Sequence, residues 1–237
     1  MTSKIFIASK SPIPNEQHLY LVFDADGNAG TTGDQEVIRG GPEFDPIPLI
    51  GQIEIENGEA IADSVDDYGP GEDYTDRNFT ELNLATSADD AWTAMQTAVS
   101  NLGTTSGDIV TTDIDYYILG PNSNSVITTI LYHVGIDIAD QRPLWGGSGD
   151  LIPLPTFTGA NNYMGTDGND TWDITPTYPK AIYDQGGDDT YTIDVAALPA
   201  NGTGALAPGL STCVETLPRP ISMRSHNKTV SKHRIRE

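Results

Sequence analysis

The stretch GTDGNDTWDI at residues 165–174 is answered, after one short polar connection, by YDQGGDDTYTID at residues 183–194. Superimposed on their Asp-Thr-aromatic ends, Asp167-Gly168-Asn169-Asp170-Thr171-Trp172 matches Gly186-Gly187-Asp188-Asp189-Thr190-Tyr191, and the shared frame is G-x-D-T-aromatic. Gly168 and Gly187 permit turn conformations that bring backbone carbonyls inward. Asp170 and Asp189 supply hard carboxylate oxygens, the donor type that Ca²⁺ prefers. Behind each turn, Trp172 with Ile174 and Tyr191 with Ile193 alternate as a short strand facing a thin core. The repeat distance from Asp170 to Asp189 is 19 positions, so the two turns are expected to stack on one edge.

This pattern resembles the nonapeptide Gly-Gly-x-Gly-x-Asp-x-U-x of RTX (repeats-in-toxin) proteins, which wind a parallel β-roll around Ca²⁺. The resemblance implies one ion clamped between Asp167/Asp170 and Asp188/Asp189, with Gly168, Asn169, Gly186 and Gly187 completing the two turns. Thr166 and the pair Asp184-Gln185 stand where second glycines belong, and Pro176 and Pro179 interrupt the intervening turn, so only a short roll over 165–198 is expected.

Charge points the same way. Thirty-four acidic against twelve basic residues give a formal net charge of −22, a surface that repels nucleic acid and anionic membrane and favours cations. Six of the basic and two of the acidic residues lie from Ser211 onward, so the preceding chain carries −26. The single cysteine, Cys213, lies in that basic tail and leaves the body without a disulfide or a thiol nucleophile. No apolar run is long enough to span a membrane, and Met1 to Pro14 lacks a secretory apolar region. The RTX resemblance implies an extracellular protein, exported by the type I route without a cleaved N-terminal signal. The tail over 199–237, basic and polar where that family usually carries its export signal, is expected to be disordered.

Upstream, the expected fold class is α+β, a mainly antiparallel sheet with two helices over 1–145, joined by a linker at 146–164 to the repeats. Lys4 to Ala8 and His18 to Phe23 read as strands, the second alternating His18, Tyr20, Val22 against Leu19, Leu21, Phe23. Asp24, Asp26 and Asn28 stand at EF-hand spacing, but Ala29 takes the position that needs glycine and no helix precedes them, so a hairpin into Glu36–Arg39 is expected. Gln52–Glu56, a turn at Asn57-Gly58 and Glu59–Ala62 read as a second hairpin. Ser87 begins a helix through Ala91, Met95, Ala98 and Leu102, stopped by Gly103, with Trp92 and Met95 in the core. A strand over Asp115–Leu119 and a helix over Ser125–Val134, closed by Gly135, follow.

Between that strand and helix lies Gly120-Pro121-Asn122-Ser123-Asn124-Ser125. A strand, a tight turn and a nucleophile at a helix start can build a hydrolase, because free N–H groups there stabilise an oxyanion. The string resembles the Asn-Cys-Asn of circularly permuted papain-like hydrolases, in which a strand-borne His comes first. The resemblance implies Ser123 in the place of the cysteine and His18 as general base, supported by Tyr116 or Asn122. A serine hydroxyl is the weaker nucleophile and needs a well-aligned base. The alternative is that Asn122 to Ser125 cap a buried helix. Two functions stay open, a calcium-stabilised exported protein and an amide or peptide hydrolase carrying a calcium module.

Overall fold

The computed structural model describes residues 2–13, 16–27, 35–43, 51–61, 64, 78–117, 120–144, 152–153, 156–174, 181–193 and 213–216. Seven strands form one antiparallel sheet: β1 (Lys4–Ile13), β2 (Glu16–Asp24), β3 (Gln35–Pro42), β4 (Gln52–Ala60), β5 (Asn78–Glu81), β6 (Thr104–Ser106) and β7 (Ile109–Asp115). Their spatial order is β5-β1-β2-β3-β4-β7-β6. Helices α1 (Ala88–Ser100) and α2 (Ser123–His133) complete the α+β body.

Period-two alternation divides the sheet into two faces. Ile5, Ile7, Leu19, Leu21, Ile38, Ile53 and Ile55 pack with Trp92, Met95 and Val99 of α1 and with Val126, Ile127, Ile130 and Leu131 of α2. Phe6, Ala8, Tyr20, Val22, Val37 and Ile61 form a second cluster on the opposite face. Trp92 stacks on Phe23 at 5.6 Å between ring centroids, and its indole N–H donates to Glu36 Oε2 at 2.8 Å. Ser87 caps α1, accepting from the Asp90 amide at 3.2 Å while its hydroxyl donates to Asp90 Oδ2 at 2.7 Å. Ser87 and Asp90 thus pair side chain to side chain as well as through the cap.

Three readings of the body need correction or completion, and a fourth holds. Asn57-Gly58 is no hairpin turn: β4 runs unbroken from Gln52 to Ala60, and Gly58, at φ +85°, absorbs a register shift opposite Val37/Ile38. Asn57 Nδ2 donates to Gln96 O and Ser100 Oγ of α1, which fixes the bulge from outside the strand. The strand expected at Asp115–Leu119 lies earlier, as β7, because Val110, Thr112 and Ile114 supply its buried side; residues 118–119 lie outside the described residues. The Gly/Ser/Thr segment before it is the β6–β7 hairpin, turning at Gly107 with φ +64°. At Asp24 the hairpin expectation holds: its carboxylate accepts from the Asp26 and Gly27 amides and from Gln35 Nε2, so it organises the turn.

The C-terminal half docks on this body. Strands β8 (Asn162–Met164) and β9 (Thr171–Ile174) are followed by β10 (Ala181–Tyr183) and β11 (Thr190–Ile193). Strand β8 pairs parallel with β10, and β9 with β11. The stretch expected as a linker contributes Phe157, Ala160 and Met164 to the main core. In the tail expected to be disordered, Cys213–Thr216 forms β12, antiparallel to β11; the rest of 199–237, like Pro176 and Pro179, lies outside the described residues.

Candidate metal site

Both parallel pairings keep one offset, Asn162 opposite Ala181 and Thr171 opposite Thr190, so the turn at 165–170 stacks directly on the turn at 184–189. Hydrogen bonds at the same spacing tie the layers. The Asp170 amide donates to Asp189 Oδ1 at 2.8 Å, the Asp188 amide to Asn169 Oδ1 at 2.9 Å, and the Thr190 amide to Asp170 O at 2.8 Å. Gly187, at φ +100°, closes the stack: a Cβ there would lie 2.1 Å from Gly168 O, a contact no side chain survives.

Stacking brings together the carboxylates of Asp170, Asp184 and Asp189, one oxygen from each lying within 4.8 Å of the others. Asp170 and Asp189 are buried, and Asp184 is exposed on its outer side. The Thr166 amide and hydroxyl donate to Asp170 Oδ2 at 2.6 and 3.2 Å, and the Tyr191 hydroxyl donates to Asp184 Oδ2. Asp184 stands one layer above Gly165, where a Cβ would lie 2.3 Å from Asp184 Oδ1. Only one of the two stacked positions can carry a side chain, so glycine in the first copy makes room for the carboxylate of the second.

Of the sequence candidates, Asp170 and Asp189 enter this cluster. Asp167, Gly168, Asn169 and Asp188 are exposed and build the rim of the turns, with Asn169 spent on the Asp188 amide and Gly186 set where a Cβ would lie 3.5 Å from Asp167 O. Asp184 was visible only as a departure from the glycine pattern. Its signal is that it lies 19 residues after Gly165, the same offset that relates Asp189 to Asp170.

The donor set fits a hard cation. A Ca²⁺–oxygen bond is about 2.4 Å, so oxygens up to about twice that distance apart can share one ion. Each carboxylate oxygen offers about two lone pairs, leaving acceptor capacity beyond the hydrogen bonds above. The electrostatics also fit: partial burial pushes the Asp184 carboxyl up to about 7, reinforced by a hydrogen bond with Asp189 and by the charges of Asp189 and Asp170, and opposed by the Tyr191 hydroxyl. Tyr191 is itself held above its ordinary value, by desolvation and by Asp184.

A carboxyl whose folded value is raised stabilises the fold below its unfolded value of 3.8, and that contribution is lost as pH rises through about 7. In chelator, Asp184→Asn should therefore gain melting temperature relative to the parent protein as pH rises from about 4 to about 8. A gap between the two that is flat with pH would refute the raised Asp184 carboxyl.

The second constellation is structural in three of its four residues. Asn122 Oδ1 accepts from the Asn124 and Ser125 amides at 2.9 and 3.3 Å, and Ser125 Oγ returns the bond by accepting from the Asn122 amide at 3.1 Å and donates to Gly159 O at 2.8 Å. The Asn124 carboxamide accepts from the Leu19 amide at 2.7 Å and donates to Gln17 O at 2.9 Å, taking the place of a partner strand where β2 and β3 part. Close approach is allowed by Gly40, where a Cβ would meet Val126 at 2.6 Å and Ser123 Cα at 3.2 Å.

The structure does not join His18 to Ser123. Alternation along β2 puts His18 on the face of Tyr20 and Val22, whereas Leu19 and Leu21 face α2. His18 Nε2 is buried and has no hydrogen-bond partner. Desolvation, then the nearby Arg39, lowers the imidazole to about 3, against a hydrogen bond with the Gly40 backbone, which makes it a weak base. Tyr116, half-buried, packs against the main core. The hydrolase reading draws no support from this geometry.

Comparison with known proteins finds no matching family model, no matching curated protein and no matching solved structure.

Proposed function

We propose that this chain is an acidic calcium-binding protein in which Ca²⁺ clamps two stacked turns of a one-coil β-roll against an α+β body. The observation that carries the reading is the convergence of Asp170, Asp184 and Asp189 within 4.8 Å, at two turns repeating with a constant 19-residue offset. Supporting it are the resemblance of those turns to RTX repeats and the net charge of −22. The ion would take hard oxygens from the three carboxylates and offset the burial and the neighbouring charges of Asp189 and Asp170 that raise Asp184. An exported, extracellular protein, where calcium is plentiful, suits this chemistry. Among the described residues no helix is long and apolar enough to cross a membrane.

The test is calorimetric titration with Ca²⁺, with thermal unfolding in Ca²⁺ and in chelator. A dissociation constant in the range of about 10⁻⁴ to 10⁻³ M of extracellular modules is expected. At about a hundredfold excess over that constant, stabilisation should reach about 2.7 kcal/mol. Asp189→Asn should weaken binding by roughly tenfold or more, since ligand charge sets affinity in such sites. Absence of binding heat at millimolar Ca²⁺, with unchanged melting, would overturn the reading.

A further inference from the structure

We infer that Gln185 is the joint through which occupancy of the carboxylate site is transmitted to the antiparallel body. Its side chain is fully engaged by three segments. Gln185 Nε2 donates to Gly165 O at 2.8 Å, in the first turn of the stack, and to Leu102 O at 2.9 Å, just past α1. Its Oε1 accepts from the Asp113 amide of β7 at 3.2 Å. Leu102 and Asp113 belong to one tight corner: Leu102 is 1% exposed, and a Cβ on the adjoining Gly103 would lie 2.1 Å from Thr111 O. Gln185 is thus anchored to a part of the body that cannot give way easily.

Its place in the stack gives that anchorage a consequence. Gln185 directly follows Asp184, and Gly165, which it grips, is the residue over which the Asp184 carboxylate sits. One carboxamide fixes the two backbone segments whose spacing sets where Asp184 stands relative to Asp170 and Asp189. With its carboxamide engaged by these three segments, Gln185 would not ligate an ion itself; it is a positioning residue. An ion that draws the carboxylates together tightens both segments, and the same hydrogen bonds carry the restraint to α1 and β7. The repeat turns and the sheet should then unfold as one cooperative unit rather than as a domain and an appendage. This inference rests on the cation reading for its ligand, but not for the mechanical link.

The experiment uses the full chain, Ca²⁺ as the only added ligand, and two variants, Gln185→Ala and the near-isosteric Gln185→Met, so that loss of packing is separated from loss of hydrogen bonds. In the parent, Ca²⁺ should raise a single melting transition and slow amide exchange throughout the β4–β7 ladder, Asp113 excluded because its own bond is removed in the variants. In both variants Ca²⁺ affinity should fall roughly tenfold, as for other residues that orient ligands without contacting the metal, and the ladder should no longer respond to Ca²⁺. Unchanged affinity in both variants, with the ladder still responding, overturns the inference. If the parent binds no Ca²⁺, the cation reading falls and the joint is judged in ion-free protein. There, two transitions in the variants against one in the parent uphold it, and a single shared transition in all three overturns it.

Discussion

Asn124→Ala should lower the stability of the fold by about 2–5 kcal/mol, because truncation strands two backbone groups that the carboxamide now serves, each costing about 1–3 kcal/mol when buried without a partner. Those groups are the Leu19 amide and the Gln17 carbonyl, bonded at 2.7 and 2.9 Å, whereas the Thr158 carbonyl loses the Asn124 bond at 2.9 Å but keeps that of Asn122 Nδ2 at 3.0 Å. None can turn to solvent easily, since Asn124 is 5% exposed and Gln17 also 5%. The two strand groups lie where β3 has left β2, so no neighbouring strand can replace the lost partner. For a chain of this size a loss of that order corresponds to a fall in melting temperature of about 10 °C. Ser123→Ala, one residue away, should shift melting by only a degree or two, within the range of substitutions that break no buried bond. Thermal unfolding of both variants checks this. Equal effects at the two positions would mean that the helix start as a whole, and not the Asn124 bridge, holds α2 to the sheet.

Trp172→Ala should cost about 3–5 kcal/mol, the usual cost of emptying a large aromatic site, and should release the repeat segment from α2. Trp172 is 1% exposed. Its ring stacks on Tyr132 of α2 at 5.2 Å and meets Tyr163 of β8 edge-on at 5.8 Å, so it joins helix and repeats in one packed group. The following amide, of Asp173, donates to the Tyr132 hydroxyl at 2.7 Å, and truncation would loosen that bond as well. Because Asp170 lies only two residues before it, Ca²⁺ affinity should fall together with stability. Trp172→Phe should recover most of both: the indole N–H is buried without a hydrogen-bond partner, so losing it gives up no bond. Urea unfolding and Ca²⁺ titration of the two variants measure this. A Trp172→Phe protein as unstable as Trp172→Ala would show that a stacked aromatic ring is not what anchors the repeats, and would overturn this expectation.

What each level of description settles can be followed residue by residue. The sequence by itself determined the elements governed by short-range physics: the strands around Ile5–Ala8 and His18–Phe23, the Ser87 cap, the amphipathic α1, the helix before Gly135, and the turns at Gly168 and Gly187, since side-chain period, capping chemistry and backbone freedom act over a few positions. The 19-residue offset was likewise legible, and the strand registers repeat it. Only the tertiary structure decided which carboxylates meet. Asp167 and Asp188 satisfy the local motif and stand on the rim, whereas Asp184 breaks the motif and enters the cluster, because stacking sets it over the one position, Gly165, that has no side chain. Asn57-Gly58 has turn chemistry yet lies within β4, held there by α1 from across the sheet. The alternation of β2 was plain in the sequence, but which face the helices would cover was not. Both rows, His18, Tyr20, Val22 and Leu19, Leu21, Phe23, are apolar enough to be buried, so it was the docking of α2 through Asn124 that placed Ser123 on the face of Leu19 and Leu21 and left His18 on the other.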